Sequence, residues 1–541
     1  MYREYDQNQM FLLPPSLKDF VDESHPAHMV NDLVEKMNLA SLEKRYGNMG
    51  QPAHHPRMMI KTILYGFTVG VFSSRKLHRA CRENLAFKYL AGMQTPSFKT
   101  FIEFRRRHRD DMEDVFLQTV KLAREMGMAQ FGGVALDGCK KEANTSKHKA
   151  MSYGRMLEEE KRLKSEIEKL LKTAEETDAQ EDRAYGADND GYSLPEELSR
   201  REKRLKKIEE ARAALEAREK KDHPEEPIDP KKQISFADKE ARCFSKKADG
   251  TKYVYNSQAA VDMESQIIVE NHIEDSVSDA KAAEETLENI ERNLGEKPEK
   301  LVTDAGYGNS NTLESCQKRE VTPVSATTRE GRETVAGDKK APGSADFFTY
   351  DSNDNTLVCR HGCVFEFDHF TGEGKRAIYC SRNKVGCKCG SHSLKDGRRV
   401  MKVDKGYLAR QTLKRIMEEE GNRELYRRRK CTVEPVFGQI TVGMGFCRYF
   451  YRGRQKVRSE WNLVCAAFNI KKIAALKASG KAMAGESKGN RREEFPRANN
   501  GEHFLHGIAR YMRSYRSHIA QMRRILLSCR IVPEIFAFCA D

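Results

Sequence analysis

Two aspartates lie in sequence surroundings that suit metal-dependent chemistry. Asp137 follows the short apolar run Val134–Leu136 and precedes Gly138, and Asp304 follows the similar run Leu301–Thr303. Short apolar runs bounded by glycine predict buried strands, and the ligand site of an open α/β sheet lies beyond the carboxyl ends of its strands. We therefore expect both carboxylates in one cleft. The alternative is that each Asp only caps a turn or a helix.

Glu434 is a third candidate for the same chemistry. It lies on a predicted helix beside Val433, Val436 and Phe437, whose apolar side chains face a core and hold the carboxylate near the protein. Three carboxylates provide the oxygen ligands that Mg²⁺ prefers. Two divalent ions about 3.5–4 Å apart stabilise the attacking and leaving oxygens of phosphoryl transfer on nucleic acid.

Several segments resemble bacterial insertion-sequence transposases of the DDE type. They are VALDGCKKEAN (134–144), LVTDAGYG (301–308), RRRKCTVEPVFGQI (427–440) and the closing segment GFCRYFYRGRQKVRSEWNLVCAAFNIKK (445–472). The N-terminal FLLPPSLKDFV (11–21) and the predicted helices after it are similar to the DNA-binding domain of such transposases. The resemblance covers roughly residues 5–477, and the order of the motifs makes it specific.

The resemblance implies an α/β fold, with a ribonuclease-H-like mixed-sheet catalytic core preceded by an all-α DNA-binding domain. It implies that Asp137, Asp304 and Glu434 are the catalytic residues and hold Mg²⁺ (or Mn²⁺). The implied activity is that of a DNA transposase, which binds the terminal inverted repeats of an insertion sequence and catalyses strand cleavage and strand transfer. The implied partners are the element ends and the target DNA, with a homo-oligomer assembled on them.

The segment around Glu434 departs from some relatives, which carry Tyr and Arg before the catalytic Glu and a Lys two turns after it. Here Arg427 lies seven positions before Glu434, Lys430 lies four before it, and Thr441 lies seven after it. The auxiliary roles of those family residues, and a hairpin-ended DNA intermediate, are therefore not carried over to this chain.

Basic residues indicate a polyanionic partner. The chain of 541 residues has 95 Lys and Arg against 81 Asp and Glu, a net charge of +14, and such a charge favours nucleic acid. Two basic clusters are expected to contact DNA, one on a predicted helix after Ser97 and one just before Glu434. Their members are Arg105, Arg106, Arg107 and Arg109 in the first cluster, and Arg427, Arg428, Arg429 and Lys430 in the second. The alternative for the first cluster is a solvated face of a helical bundle.

The chain is expected to divide into several segments. Residues 155–222 are dense in charge and carry apolar stripes on both sides of a turn-rich break at 184–191. They predict a coiled-coil hairpin of two helices, with a pair of solvated helices as an equal alternative. The expected seam residues are Leu163, Ile167, Leu170, Leu205, Ile208 and Leu215.

The expected segments of the whole chain are a helical DNA-binding domain (1–130), the first part of the catalytic core (131–154 and 223–329), the coiled-coil hairpin insertion (155–222), a polar, loop-rich insertion with clustered Cys (330–405), the final core helices (406–478), and a linker with a basic tail (479–541).

A group of cysteines suggests a second metal site. The chain has 14 Cys, too few for a disulfide scaffold of this length. A structural zinc site needs four tetrahedral N or S ligands, whereas the irregular spacing here leaves reduced, unligated thiols as the alternative. The candidate zinc ligands are Cys359, Cys363, Cys380, Cys387 and Cys389.

Two other functions stay open from the sequence alone. A catalytically decayed or repurposed sequence-specific DNA-binding protein would keep the basic segments without the chemistry, although the intact Asp137, Asp304 and Glu434 argue against decay. A coiled-coil scaffold would explain only residues 155–222. The chain has no apolar run near the ~20 residues that span a bilayer and no apolar signal core at its start. We therefore expect a cytoplasmic, nucleoid-associated protein without a membrane partner.

Overall fold

The computed structural model contains a helical N-terminal region, a central mixed sheet, a helical hairpin and a second sheet. Within the part of the chain that it describes, no helix is both long and apolar enough to cross a membrane. The expected basic tail lies outside the described residues, apart from Ser479. The described residues are 16–46, 52–146, 150–185, 196–222, 224–246, 250–327, 348–351, 354–359, 362–371, 376–382, 393–395 and 398–479.

The N-terminal region is helical. It contains α1 (Pro26–Lys36), α2 (Ala40–Glu43), α3 (Pro56–Thr68), α4 (Ser74–Glu83), α5 (Leu85–Leu90), α6 (Phe98–Arg107) and α7 (Met112–Glu125). The starts of two helices follow from local chemistry. Ser97 Oγ accepts the backbone N–H of Thr100 at 3.1 Å and so caps α6. Pro56 occupies the first turn of α3, where a missing N–H leaves no hydrogen bond unmade.

The central sheet is mixed. Its strands are β1 (Gly133–Glu142), β4 (Arg242–Lys246), β5 (Gly250–Asp262), β6 (Ile268–Glu274), β7 (Lys300–Thr303) and β8 (Thr322–Ser325). The strand order is β4-β5-β1-β7-β8, and β6 also pairs with β5. β5 runs antiparallel to β1, β4 and β6, whereas β7 is parallel to both β1 and β8. The run Val134–Leu136 in the middle of the sheet is fully buried, as expected of a strand covered on both faces.

Helices cover both faces of this sheet. The helices concerned are α10 (Ala282–Leu294), α11 (Ser310–Lys318), α12 (Lys405–Glu418), α13 (Asn422–Gly438) and α14 (Arg454–Ala478). Alternate residues of a strand point to opposite faces. Ser257 of β5 contacts the hydroxyl of Tyr449, between α13 and α14, at 2.5 Å. The next residue, Gln258, donates to Asp279 at 2.7 Å, just before α10. The segment from α13 to α14 therefore lies on the Ser257 face, and α10 lies on the Gln258 face.

The N-terminal helices and the central sheet share one hydrophobic core. Buried side chains run without interruption from Val21 through the strands to Ile473. α14 connects the N-terminal helices to the sheet, because it packs against α1, α3, α7 and β6. Its Trp461 is fully buried. Position 130 is therefore a boundary along the chain and not a boundary in the core.

A helical hairpin interrupts the sheet between β1 and β4. It consists of β2 (Ala150–Ser152), α8 (Tyr153–Tyr185), α9 (Glu196–Asp222) and β3 (Gln233–Ser235), with β2 antiparallel to β3. The ion pairs Glu160–Arg212 and Glu166–Arg201 join the two helices in antiparallel order. Of the expected seam residues, Leu163, Ile208 and Leu215 are buried and the others are half-buried. The apolar packing at the base of the hairpin continues onto Ile234 of β3, and Leu198 is buried farther out on α9.

The described residues between 348 and 404 form a second sheet where the sequence predicted a loop-rich insertion, so that part of the prediction is wrong. The sheet is antiparallel, in the order β13-β14-β12-β11-β10-β9. Its strands are β9 (Phe348–Asp351), β10 (Thr356–Cys359), β11 (Val364–Thr371), β12 (Arg376–Ser381), β13 (Ser393–Lys395) and β14 (Arg398–Asp404). Its core includes Leu357, Phe365 and Tyr379, and on β11 the core-side Phe365 and Phe367 alternate with the polar Glu366 and Asp368. Short strands with one polar face resemble loops in composition, which explains the error.

Candidate active site

The sequence predicted that Asp137 ends its strand. In the structure it is an interior residue of β1, so that prediction is wrong. The strand continues to Glu142 because it keeps pairing with β5, where Asp137 lies opposite Ala259. The parallel pairing of β1 with β7, however, ends at Leu136 opposite Thr303. Asp137 is therefore the first residue of β1 beyond the end of β7, where an open sheet forms its crevice.

Asp304 directly follows Thr303 and so stands next to Asp137 across adjacent parallel strands. Its Oδ1 accepts the backbone N–H of Gly306 at 2.8 Å, and its carbonyl oxygen accepts the Ser325 hydroxyl at 3.0 Å. The turn after β7 is thereby tied to β8. The structure thus brings together the two aspartates that follow the buried apolar runs.

The electrostatics of this pair favour a bound cation. Burial raises the pKa of Asp137 above the usual range of a carboxyl group. The Gly138 backbone N–H, which donates to Asp137 Oδ1 at 2.8 Å, opposes that rise. The carboxylates of Asp304 and Asp279 add to it by repulsion. Because neighbouring negative charges disfavour each other's ionised form, added positive charge would stabilise both carboxylates.

Arg429 supplies one positive charge from α13. Its Nη1 donates to Asp137 Oδ2 at 3.1 Å, and only 7% of the side chain is exposed. It also lowers the pKa of Asp137. The prediction that Arg429 contacts DNA is wrong for this structure, because its side chain points towards the sheet and binds the Asp137 carboxylate.

The other members of the second basic cluster lie on the surface of α13. Arg427 and Lys430 are exposed, and Arg428 forms an ion pair with Glu264 at 2.7 Å. Spacings of four and seven residues place Lys430 and Arg427 on the same side of the helix as Glu434.

Glu434 is exposed on α13. Its neighbours Val433 and Val436 are buried as predicted, but the prediction that they hold the Glu434 side chain near the protein is wrong, because that side chain faces solvent. Leu425 of the same helix packs beside Gly133, at the start of β1. At about 1.5 Å per residue, Glu434 lies ~13.5 Å farther along the helix than Leu425. At about 3.3 Å per residue, Asp137 lies ~13 Å farther along β1 than Gly133. If the two elements run in the same direction, Glu434 is level with Asp137.

Lys141 establishes that common direction. It lies on β1 after Asp137, and its Nζ contacts the Thr441 hydroxyl in the turn after α13 and donates to the Phe446 carbonyl at 3.0 Å. The start of β1 thus contacts the start of α13, and the part of β1 after Asp137 contacts the residues after Glu434. The strand and the helix therefore run in the same direction. Burial lowers the pKa of Lys141, so this contact lies deep in the core.

Pro435 immediately follows Glu434 inside α13. A proline within a helix leaves the carbonyl four residues earlier without its helical donor. That carbonyl belongs to Cys431, and the Gln266 side chain donates to it at 2.9 Å. The loop between β5 and β6 therefore compensates for the proline and holds this part of α13 against the sheet.

A polar network that the sequence did not reveal lies beside the aspartate pair. Asp279 accepts hydrogen bonds from Lys140 (2.6 and 2.8 Å), Asn256 (2.8 Å) and Gln258 (2.7 Å). The Tyr307 hydroxyl donates to Gln258 at 2.5 Å. A Cβ added to Gly138 would lie 2.8 Å from Asp279 Oδ1. The network thus requires a glycine after Asp137. That glycine was the one feature of the sequence that pointed to the network.

Arg105 differs from the expected DNA contact. It is buried, both of its terminal nitrogens donate to the Phe72 carbonyl at 3.1 Å, and its guanidinium lies 5.1 Å from the centre of the Phe67 ring. The Phe101 and Phe104 side of α6 faces the core, and Arg105 shares that side. This is a correction to the sequence-based prediction, since Arg105 is not accessible to DNA in this structure.

The remaining arginines of the first cluster are at the surface. Arg106 pairs with Glu103 at 2.8 Å, and Arg109 pairs with Asp110 at 3.3 Å. The Arg107 guanidinium lies 5.6 Å from the centre of the Tyr46 ring. Arg106 and Arg109 also line a cavity of about 150 Å³ together with Lys456 of α14. The cavity thus joins the N-terminal helices to the last core helix through basic side chains.

We expect Arg105→Ala to lower the free energy of unfolding by about 1.5–3 kcal/mol, because the substitution leaves the Phe72 carbonyl without its charged donor. Arg106→Ala should change it by less than about 0.5 kcal/mol, as is usual at an exposed site. Urea denaturation of the full chain measures both. Equal losses would contradict the structural role of Arg105.

The cysteines do not all meet at one place. Cys359 lies in the core of the second sheet, and the backbone N–H of Cys363 donates to its Sγ at 3.3 Å. Cys380 follows the core residue Tyr379 on β12 and therefore faces the opposite side of the sheet. A single zinc ion shared by Cys359 and Cys380 is thus excluded in this structure. Cys387 and Cys389 lie outside the described residues.

Two family models match the chain. The N-terminal match, described as Transposase domain (DUF772), covers residues 15–107. The second, described as Transposase DDE domain, covers residues 372–474 and so includes Glu434 and Arg429. No curated protein matches the chain. Two transposase domains in the order of the quoted motifs, with the paired aspartates between them, support an insertion-sequence transposase of the DDE type.

Proposed function

We propose that the chain is an active transposase that binds the terminal inverted repeats of its insertion sequence and catalyses metal-dependent strand cleavage and strand transfer. The observation that carries this proposal is the placement of Asp137 and Asp304 side by side on adjacent parallel strands. Glu434, level with Asp137 on α13, would be the third carboxylate of the site.

The donor set fits Mg²⁺ or Mn²⁺, because these ions prefer oxygen ligands and keep several waters. Each oxygen of Asp137 accepts one hydrogen bond and retains capacity for a second partner. Asp304, Asp137 and Glu434 would hold the ions. Two such ions, when bound, stabilise the attacking and leaving oxygens of phosphoryl transfer.

The protein's own contribution is to orient these carboxylates before DNA arrives. The backbone N–H groups of Gly138 and Gly306 hold Asp137 and Asp304, and Arg429 favours the ionised form of Asp137. Such preorganisation reduces the reorganisation that the reaction requires. Arg427 and Lys430, on the Glu434 side of α13, would guide the DNA backbone towards the carboxylates.

We assign the central sheet to the ribonuclease-H-like class. With β1, β5, β6 and β7 taken as its first four strands, Asp137 belongs to the first strand and Asp304 follows the fourth. This is the distribution that the resemblance to DDE transposases implies. The mixed pairing of the sheet, with one antiparallel strand between parallel neighbours, supports the assignment.

DNA cleavage tests the proposed function. Purified full chain is incubated with Mg²⁺ and labelled DNA that carries the sequences flanking its gene, and the products are resolved on a denaturing gel. We expect strand breaks at the element end, followed by joining of the freed 3′ end to a target. Binding without cleavage under Mg²⁺ and Mn²⁺ would favour the catalytically decayed DNA-binding protein instead.

We expect Arg106, Arg107 and Arg109 to contact phosphates at the element end. Each contact contributes about 0.9 to the negative slope of log affinity against log salt concentration. The triple substitution to Ala should therefore make the slope shallower by about 2.7, as measured by fluorescence anisotropy. Lys318→Ala, on α11, is the control and should leave the slope unchanged. An unchanged slope in the triple variant would mean that these arginines form only a solvated face.

We propose that the hairpin of α8 and α9 holds two protomers together on paired element ends, or clamps DNA, and takes no part in the chemistry. Ion pairs such as Glu159–Arg204 and Glu166–Arg201 link its two helices. The buried contacts near its base, including Met156 and Leu215, attach it to β3. The outer part can therefore be shortened without disturbing the sheet.

Replacing residues 164–207 with a short Gly/Ser linker should abolish the complex of two element ends while preserving binding of one end. The retained base keeps Met156, Ile208 and Leu215 in place, so the thermal midpoint should stay close to that of the full chain. Native gels with one or two labelled ends measure the assembly. Normal pairing and integration by the shortened chain would rule out an assembly role.

A further inference from the structure

A second group of potential metal ligands lies on the β6–α10 side of the central sheet. His272 and Glu274 belong to β6, and Glu285 belongs to α10. One ligand atom from each of the three residues lies within 4.8 Å of the other two. No residue of the proposed catalytic site belongs to this group.

The group is separate from the aspartate pair. His272 lies opposite Gln258 of β5, and Gln258 lies opposite Gly138 of β1. Paired residues share a face of the sheet, and consecutive residues face opposite sides. His272 is thus two strands away from β1, on the face opposite to Asp137.

The imidazole of His272 is oriented like that of a metal ligand. Its Nδ1 lies 3.1 Å from Glu270 Oε1, and the Asn289 side chain donates to that same oxygen at 2.9 Å. A neutral histidine whose Nδ1–H donates to a carboxylate has its lone pair on Nε2. Metal-bound histidines are commonly fixed by such an outer carboxylate.

The Nε2 atom of His272 has no hydrogen-bond partner in the described structure, although the residue is fully buried. Buried polar atoms in folded proteins nearly always have a partner. The nearest carboxylate oxygen, Oε2 of Glu274, lies at 4.0 Å, too far for a hydrogen bond. Two ligands about 2.1 Å from one tetrahedral ion are ~3.4 Å apart, so a small closure would let both reach one cation.

The charges around this atom also favour a cation. Glu270, Glu274 and Glu285 surround one imidazole, and within the described residues none of the three pairs with a Lys or an Arg. Either a proton on His272 or a bound cation would therefore supply the balancing positive charge.

We propose that His272 Nε2, Glu274 and Glu285 bind one divalent transition-metal ion of the zinc type, separate from the catalytic ions. An imidazole nitrogen favours such ions over Mg²⁺. Since its ligands come from β6 and α10, the ion joins the helix to the strand. The site has a structural role that does not depend on the proposed transposase activity.

Co²⁺, which absorbs visible light and takes the same ligands as zinc, tests the site in the full chain. The Asp137→Asn/Asp304→Asn variant serves as background, so that the catalytic ions do not contribute. We expect one equivalent to bind without a thiolate charge-transfer band, which excludes the cysteines as ligands. Bound Co²⁺ should also raise the thermal midpoint, because ligands that bind only the folded state stabilise it.

Matched variants identify the ligands. In the same background, Glu285→Gln should weaken Co²⁺ binding by more than about 10-fold, and Glu270→Gln should weaken it by about 10–100-fold by releasing the imidazole. Glu288→Gln, exposed on the same helix, should leave it unchanged. Absence of Co²⁺ binding in the background variant, or equal binding by Glu285→Gln, would overturn the proposal. A His272 that stays protonated at neutral pH without binding metal, seen by NMR, would also overturn it.

Discussion

Asp137→Asn is expected to reduce strand cleavage at the element end by more than about 100-fold, because a neutral amide is a poor ligand for Mg²⁺ and outer-sphere changes alone cost 10–100-fold. Asp304→Asn should have the same effect. Binding of end-bearing DNA, measured by mobility shift without metal, should be unchanged, since neither aspartate is a proposed DNA contact. Denaturing gels of labelled DNA measure the cleavage.

Two matched controls distinguish this loss from a general effect of removing charge. Glu299→Gln lies at the opposite end of β7 from Asp304 and should cleave normally. Glu434→Gln should lose cleavage like Asp137→Asn, whereas Glu424→Gln, exposed on the same helix, should not. Normal cleavage by Glu434→Gln would remove α13 from the proposed catalytic site.

Arg429→Ala should slow cleavage by about 10–100-fold near neutral pH, the usual range for a residue that orients a metal ligand. Arg429 lowers the pKa of Asp137, which burial raises. Without the guanidinium, that pKa rises further, so a higher pH is needed to ionise Asp137. The acid limb of the pH–rate profile should therefore move to higher pH, as measured from initial cleavage rates.

Arg429→Lys should restore part of the rate and shift the acid limb back, because a positive charge is retained near Asp137. Arg428→Ala is the matched control, since Arg428 is a neighbour on α13 that pairs with Glu264 at the surface. An acid limb that stays in place in Arg429→Ala would contradict the electrostatic role, even if the rate fell.

The local sequence predicted the position of a residue correctly where that position depends on a single strand or helix. The runs before Asp137 and Asp304 are buried strands, and their carboxylates meet because those strands are parallel neighbours. The true length of β1 was missed, because its second half depends on pairing with β5, far away in the sequence. Pairing between distant segments is decided by tertiary structure and leaves little local trace.

The basic clusters illustrate the same limit. Four consecutive basic residues before Glu434 read alike in sequence, yet helical periodicity turns Arg429 inward and leaves Arg427 and Lys430 exposed. Arg105 is likewise buried, whereas Arg106 and Arg107 are exposed. Which residue turns inward depends on where the helix packs, and that packing involves β1 for Arg429 and the Phe72 carbonyl for Arg105.

The central claim is that Asp137, Asp304 and Glu434 hold the same metal ions. Iron-directed cleavage of the polypeptide tests it most directly: Fe²⁺ replaces Mg²⁺, and ascorbate with peroxide generates radicals that cut the chain beside the bound ion. The account predicts cuts near residues 137, 304 and 434 in the full chain, and loss of all three in Asp137→Asn/Asp304→Asn. Cuts near 137 and 304 without one near 434, or cuts that persist in the double variant, would contradict it.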